Sequence, residues 1–386
     1  MTRDGLHAGL HRIRLLLILA GLALLAGVTI FLAAPASAAP AQAPARSPQN
    51  EACLACHTRP DFNRTLPSGE VLSLTIDRDH FRDSVHDGID CTDCHTDISR
   101  FPHPRLAARS LRDFSLQMYT ACQTCHVDQY SATLDSVHQD ALAAGNTQAA
   151  ICTDCHDPHT QARLVDQGGS LLPEARLQIP ETCARCHSAI YEQYRDSVHG
   201  SALIGEGNAD VPTCTDCHGV HSISDPTTAA FRLDSPQLCA ACHTDASIMD
   251  KYGISTQVLS TYVADFHGTT VTLFEQTSPD QPTNKPVCFD CHGIHDIRRV
   301  DDPVYGLEMK QNLLLRCQQC HPGATANFPG AWMSHYIPSP QHSPIVYYVN
   351  LFYKIFIPGV LGPMALFVLS DSVRRIVERR KGASRK

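Results

Sequence analysis

The chain has 386 residues, with 18 Cys, 22 His, 25 Pro and a single Trp, and a formal net charge of −8 at pH 7. Residues 39–344 hold 36 acidic and 20 basic side chains, a net of −16, and the termini carry the compensating positive charge. Such an acidic middle excludes nucleic acid as the obvious partner and favours basic protein surfaces, although it also serves simply as a solvated face.

In chain order, residues 1–38 carry Arg3, Arg12 and Arg14, an apolar stretch over 15–34, and Ala36-Ser37-Ala38. This is the layout of a secretory signal peptide, and its apolar stretch is long enough to fit an uncleaved anchor as well. A linker over 39–50 follows, then a cysteine- and histidine-rich domain over 51–322 and a juxtamembrane segment over 323–344. Residues 345–369 are apolar and long enough for a transmembrane helix. Tyr347, Tyr348 and Tyr353 stand at its start like an interfacial belt, and residues 370–386 form a basic tail. The positive-inside rule places that tail in the cytoplasm and the large domain outside, on the periplasmic face of the inner membrane. Lys354 lies within the span and is expected to snorkel.

All the cysteines fall into nine Cys-x-x-Cys pairs, each followed directly by histidine. They are Cys53, Cys56 and His57; Cys91, Cys94 and His95; Cys122, Cys125 and His126; Cys152, Cys155 and His156; and Cys183, Cys186 and His187. The remaining four are Cys214, Cys217 and His218; Cys239, Cys242 and His243; Cys288, Cys291 and His292; and Cys317, Cys320 and His321. Cys-x-x-Cys-His is the attachment signature of c-type haem. Two thiols three positions apart reach the two vinyl groups of one porphyrin, and the adjacent imidazole lies beneath the iron as its ligand. Zinc ribbons also use Cys-x-x-Cys, but they combine two half-sites and need no fixed following histidine. Disulfides within adjacent pairs would staple nothing distant. The expectation is nine covalent haem c groups, each with its iron.

Successive motifs start 38, 31, 30, 31, 31, 25, 49 and 29 residues apart, so a repeat of about 30 residues dominates. Motifs two, four and six read Cys-Thr-Asp-Cys-His, and motif eight reads Cys-Phe-Asp-Cys-His. Another histidine follows three positions later in three of these, at His159, His221 and His295. After the odd motifs comes a different signature, Asp-Ser-Val-His, ending at His86, His138 and His199, with Ala-Asp-Phe-His ending at His267 as a looser version. The chain thus divides into four units of two motifs each, followed by a ninth motif beside the membrane segment.

A haem with one protein ligand leaves a position open for substrate, and a second ligand closes it. Apart from the motif histidines and His7 and His11 in the leader, eleven histidines remain, two more than nine irons need. Recurrence at equivalent positions selects His86, His138, His159, His199, His221, His267 and His295 as second ligands. His103, eight residues past His95, and His335 and His342 join them as candidates, and His80 is a further one. Six methionines, one of them Met1 and one, Met364, inside the apolar span, cannot serve nine irons. Two neutral imidazoles give low-spin iron suited to electron transfer at low potential.

Helix signals are short, strand signals weak, and about 34 residues per haem are too few for a separate core at each. The expected fold is mostly irregular with short α-helices wrapped around a nine-haem chain, plus one C-terminal transmembrane helix.

The alternation of Cys-x-x-Cys-His, Ser-Val-His and Cys-x-x-Cys-His-x-x-His over residues 51–322 resembles the doubled-motif multihaem cytochromes c. That group includes the octahaem tetrathionate reductase and hydroxylamine oxidoreductase-like proteins and bacterial electron-carrier cytochromes. The resemblance implies haems stacked in parallel and perpendicular pairs along a curved chain. The C-terminal anchor departs from the soluble enzymes and is similar to cytochrome subunits that dock on a membrane quinol-oxidising or b-type cytochrome partner. Two functions fit. One is a carrier moving electrons between that partner and a periplasmic or outer-membrane acceptor. The other is a reductase or oxidoreductase of a small nitrogen or sulfur compound, which needs one haem with an open position. The pentahaem nitrite reductases mark theirs with Cys-x-x-Cys-Lys, which does not occur here; residues 51–322 hold only Lys251, Lys285 and Lys310.

Overall fold

A computed structural model describes residues 48–104, 107–278, 281–332, 335–341 and 343–383. The leader, its histidines His7 and His11, and the ligand candidate His342 lie outside the described residues. Short helices joined by turns make up the domain, and the only sheet among the described residues is a hairpin pairing Asn63–Thr65 with Val71–Ser73. The first described helix, Pro48–His57, takes in the last three residues of the expected linker.

Odd and even motifs sit on different scaffolds. Motifs one, five, seven and nine lie at the ends of longer helices, Pro48–His57, Pro173–Ala184, Ala229–His243 and Lys310–Cys320, and motif three on the 3₁₀ turn Tyr119–Thr124. Even motifs form one-turn helices of their own: Cys91–Cys94, Cys152–Cys155, Cys214–His218 and Cys288–His292. One helical turn brings positions three and four apart onto one face, which aims both cysteines of a motif the same way. In motifs four, six and eight the motif's own aspartate caps the turn. Asp154, Asp216 and Asp290 accept the backbone N–H of Ile151, Thr213 and Val287 at 2.8, 2.7 and 2.6 Å.

The protein builds little apolar core of its own. One buried cluster joins Leu233, Val271 and Val287, with Tyr262, Phe274 and Phe289 packed against it. At the C-terminus a single helix runs over Pro344–Ala383, and within its stretch Pro344–Arg380 an 18-residue window has a mean hydropathy of 1.8 with none of it buried against the rest of the chain. An unburied apolar helix of this length fits a membrane span better than a core helix.

Candidate metal centres

Each motif histidine stands beside one other histidine at nearly constant distance. The ring centroids are 6.1 Å apart for His57 and His103, His86 and His126, His138 and His187, and His218 and His295. They are 6.2 Å apart for His95 and His159 and for His292 and His335. For His156 and His221, His199 and His243, and His267 and His321 the separation is 6.3 Å. Ordinary aromatic packing scatters over about 4.5–7 Å, whereas these nine pairs span 0.2 Å. Metal–imidazole bonds of about 2.0–2.1 Å on either side, with about 1.1 Å from each ring centre to its donor nitrogen, place two centroids about 6.2 Å apart. The gap in every pair is therefore the width of one metal ion.

Among the described residues no three His, Cys, Asp or Glu side chains come together as a metal cluster. Two opposed nitrogen donors are what an iron needs when a porphyrin fills its other four positions, so the residues fit haem and not a zinc ribbon.

Local structure fixes the rings. Ser84, Ser136 and Ser197 of the Ser-Val-His signature are buried. Ser136 Oγ accepts the N–H of His138 and Ser197 Oγ that of Gly200, capping the short helices that present His138 and His199. Nδ1 of His57 lies 2.7 Å from the Leu74 carbonyl, that of His86 2.8 Å from Pro158 O, and that of His103 2.9 Å from Pro104 O. With Nδ1 donating there, Nε2 is left as the ligand atom. Burial lowers the pKa of His199 and of His292, each to about 4, with the facing His243 and His335 adding to the effect, so both rings stay neutral donors.

Two histidines stand apart. His80 is exposed and lies 3.1 Å from Asp77 Oδ2, away from every motif histidine. His103, whose spacing departs from the repeat, pairs with His57 all the same.

The cysteines trace a continuous line. Within each unit the first cysteines of the two motifs hydrogen-bond: Cys53 with Cys91, Cys122 with Cys152, Cys183 with Cys214, and Cys239 with Cys288. Burial and then the Cys53 thiol push Cys91 up to about 12, while the hydrogen bond from Cys122 brings Cys152 down to about 7. Between units, Cys94 feels Cys122, Cys155 feels Cys183, Cys217 feels Cys239, and Cys291 feels Cys317. Thioether formation would abolish these titrations; what they record is the neighbourhood.

A set of arginines holds the motifs together in a way the motif spacing did not reveal. Arg112, Arg176 and Arg232, each on or before an odd-motif helix, pair at 2.7, 2.7 and 2.6 Å with Asp154, Asp216 and Asp290 of the following even motif. They also donate to the carbonyls of Ala149, Val211 and Lys285 just before those motifs. In the first unit Asn50 takes this place, donating to Ile89 O and accepting the N–H of Cys91, both at 2.8 Å. The recurrence of Arg before alternate motifs was the available signal. Beside His292 a cavity of about 260 Å³ is lined in part by Arg298, Tyr305 and Arg316, two cations suited to the carboxylates of a porphyrin.

The chain matches the family model of cytochrome c7 and related cytochrome c over residues 108–188 and that of the doubled CXXCH motif over residues 207–248. With the repeated motifs and the opposed histidines, these matches identify the chain as a multihaem c-type cytochrome. No solved structure matches it.

Proposed function

We propose that this cytochrome carries nine haem c groups, each iron held between a motif histidine and the second histidine paired with it, and that it conducts electrons along the array. The observation that carries this reading is the metal-sized gap repeated at all nine motif histidines. When bound, haem supplies one-electron chemistry at iron. The chain's own residues keep two neutral imidazoles on each iron, which leaves no position for substrate and supports the carrier reading over a reductase of a small nitrogen or sulfur compound. The line of neighbouring cysteines supports an array whose spatial order is the order of the motifs, with motif nine nearest the membrane helix.

The anchor then sits in the inner membrane with the haem domain in the periplasm. Its partners are a quinol-oxidising or b-type cytochrome subunit at the membrane end and a periplasmic or outer-membrane acceptor at the other. Intact mass should report nine haem additions, and low-temperature EPR of the oxidised protein should show no high-spin iron. Carbon monoxide should leave the reduced spectrum almost unchanged. A native high-spin haem, together with turnover of nitrite, hydroxylamine or tetrathionate, would replace the carrier by the enzyme.

A further inference from the structure

Eight of the nine histidine pairs cross a boundary between two-motif units, and they do so in a fixed pattern. His86 of unit one pairs with His126 of unit two, His138 of unit two with His187 of unit three, and His199 of unit three with His243 of unit four. In the opposite direction His159 of unit two pairs with His95 of unit one, His221 of unit three with His156 of unit two, and His295 of unit four with His218 of unit three. Each boundary is crossed once each way.

A second observation, independent of the rings, marks the same places. The valine of each Ser-Val-His donates its backbone N–H to the residue two positions past the second histidine of the next unit. Val85 bonds to Gln161 O at 2.9 Å, and Val137 and Val198 bond to Ile223 O and Ile297 O at 2.8 Å. The two crossing histidines at each boundary are thereby clamped side by side.

The fourth boundary has no fifth unit beyond it, yet the pattern continues. His267 pairs with His321 of motif nine, and His335, from the segment leading to the membrane helix, pairs with His292. Side chains replace the backbone clamp here: Trp332 Nε1 donates to Asp265 Oδ2 at 2.7 Å, and Thr261 Oγ1 lies 3.5 Å from His335 Nδ1.

We propose that the units exchange ligands reciprocally. Each odd haem from three to nine takes its second ligand from the unit before it, and each even haem takes its own from the unit, or the juxtamembrane strap, after it. This rests on the haem reading above and adds which histidine serves which iron. Apart from the haem of motif one, which His103 closes within its own unit, no unit closes its own irons, and the strap completes the haem of motif eight as a further unit would.

The test uses the full-length holoprotein in three variants: His138→Ala; Cys183→Ser with Cys186→Ser, which removes the haem of motif five; and all three changes together. Haems are counted by intact mass, and spin state is read by EPR and by carbon monoxide binding to the reduced protein. His138→Ala should keep nine haems and open one. The cysteine variant should hold eight haems, none open, and the triple variant likewise eight with none open. An open haem in the triple variant overturns the exchange, because His138 would then serve an iron at another motif. Fewer than nine haems in the unaltered chain overturns the haem reading itself, which keeps the two failures distinct. If the cysteine variants do not accumulate, hydrogen peroxide added to His138→Ala locates the opened haem. Oxidation mapped to Tyr191, next to motif five, supports the exchange; oxidation at Tyr119 or Tyr130, next to motif three, overturns it.

Discussion

His199 shows how much a single position carries. Burial holds its pKa near 4 against 6.5 in an exposed ring, with His243 contributing in the same direction. The unfolded chain therefore binds the proton first, and an iron on this ring would act in the same direction, so stability should be complete above about pH 6.5 and fall as the pH drops below it. Denaturant midpoints measured at pH 7 and pH 5 should differ in that direction. The residue after it must be glycine: a Cβ on Gly200 would stand 1.8 Å from Tyr194 O, and one on Gly268, after His267, 2.1 Å from Tyr262 O. Gly200→Ala should cost about 1–3 kcal/mol and release His199, visible as a high-spin signal with all haems still attached. Ring orientation adds a finer prediction. His86 and His126 cross at 78° while His57 and His103 are within 7° of parallel. Because axial ring planes set the splitting of the iron d orbitals, the haem of motif three should give the most anisotropic low-spin EPR signal, and His86→Ala should remove it.

At the scale of elements, the arginine–aspartate pairs join the helix before an odd motif to the one-turn helix of the next even motif. Arg232 and Asp290 are both largely shielded, and the guanidinium also lies over the Phe289 ring at 5.2 Å. Arg232→Gln should lower stability by about 1–3 kcal/mol, read as a lower denaturant midpoint, with the haem count unchanged. The part of the strap that carries Trp332 and His335 behaves as an element of the same kind. Trp332 fixes it to Asp265, the residue that caps Phe266–Thr277 and so aims His267. Trp332→Phe keeps an aromatic ring but loses the indole N–H and its hydrogen bond, and should open the haem of motif eight to carbon monoxide in part, leaving the other haems closed.

On the proposed reading, the whole molecule is an array with one end at the membrane. Its C-terminal helix, 40 residues long, extends about 60 Å, roughly twice the hydrocarbon core, so its arginine-rich half continues beyond the bilayer. A phosphatase fused after Lys386 should be inactive and one fused near Ala331 active, if the basic tail is cytoplasmic. His335 lies nine residues before Pro344, so motif eight as well as motif nine is tied to the membrane end. Removing Cys317 and Cys320 should block reduction by quinol through the membrane partner and leave chemical reduction of the remaining haems intact.

The local chemistry was legible without any structure, because attachment needs two thiols and an imidazole within one helical turn and that requirement is written in consecutive residues. Recurrence likewise exposed most of the second histidines, since equal units repeat their signatures. The partner of each ring was not legible. Paired histidines lie from 40 residues apart, His86 and His126, to 77 apart, His218 and His295, and nothing local favours one motif over its neighbour. His103 and His335 lack the repeated spacing, and His80 has no feature that separates it from them. Only the folded chain decides among these, because backbone bonds such as Val137 to Ile223 and half-buried contacts such as Trp332 to Asp265 join segments far apart in sequence. Those contacts bring two rings to within one metal ion's width.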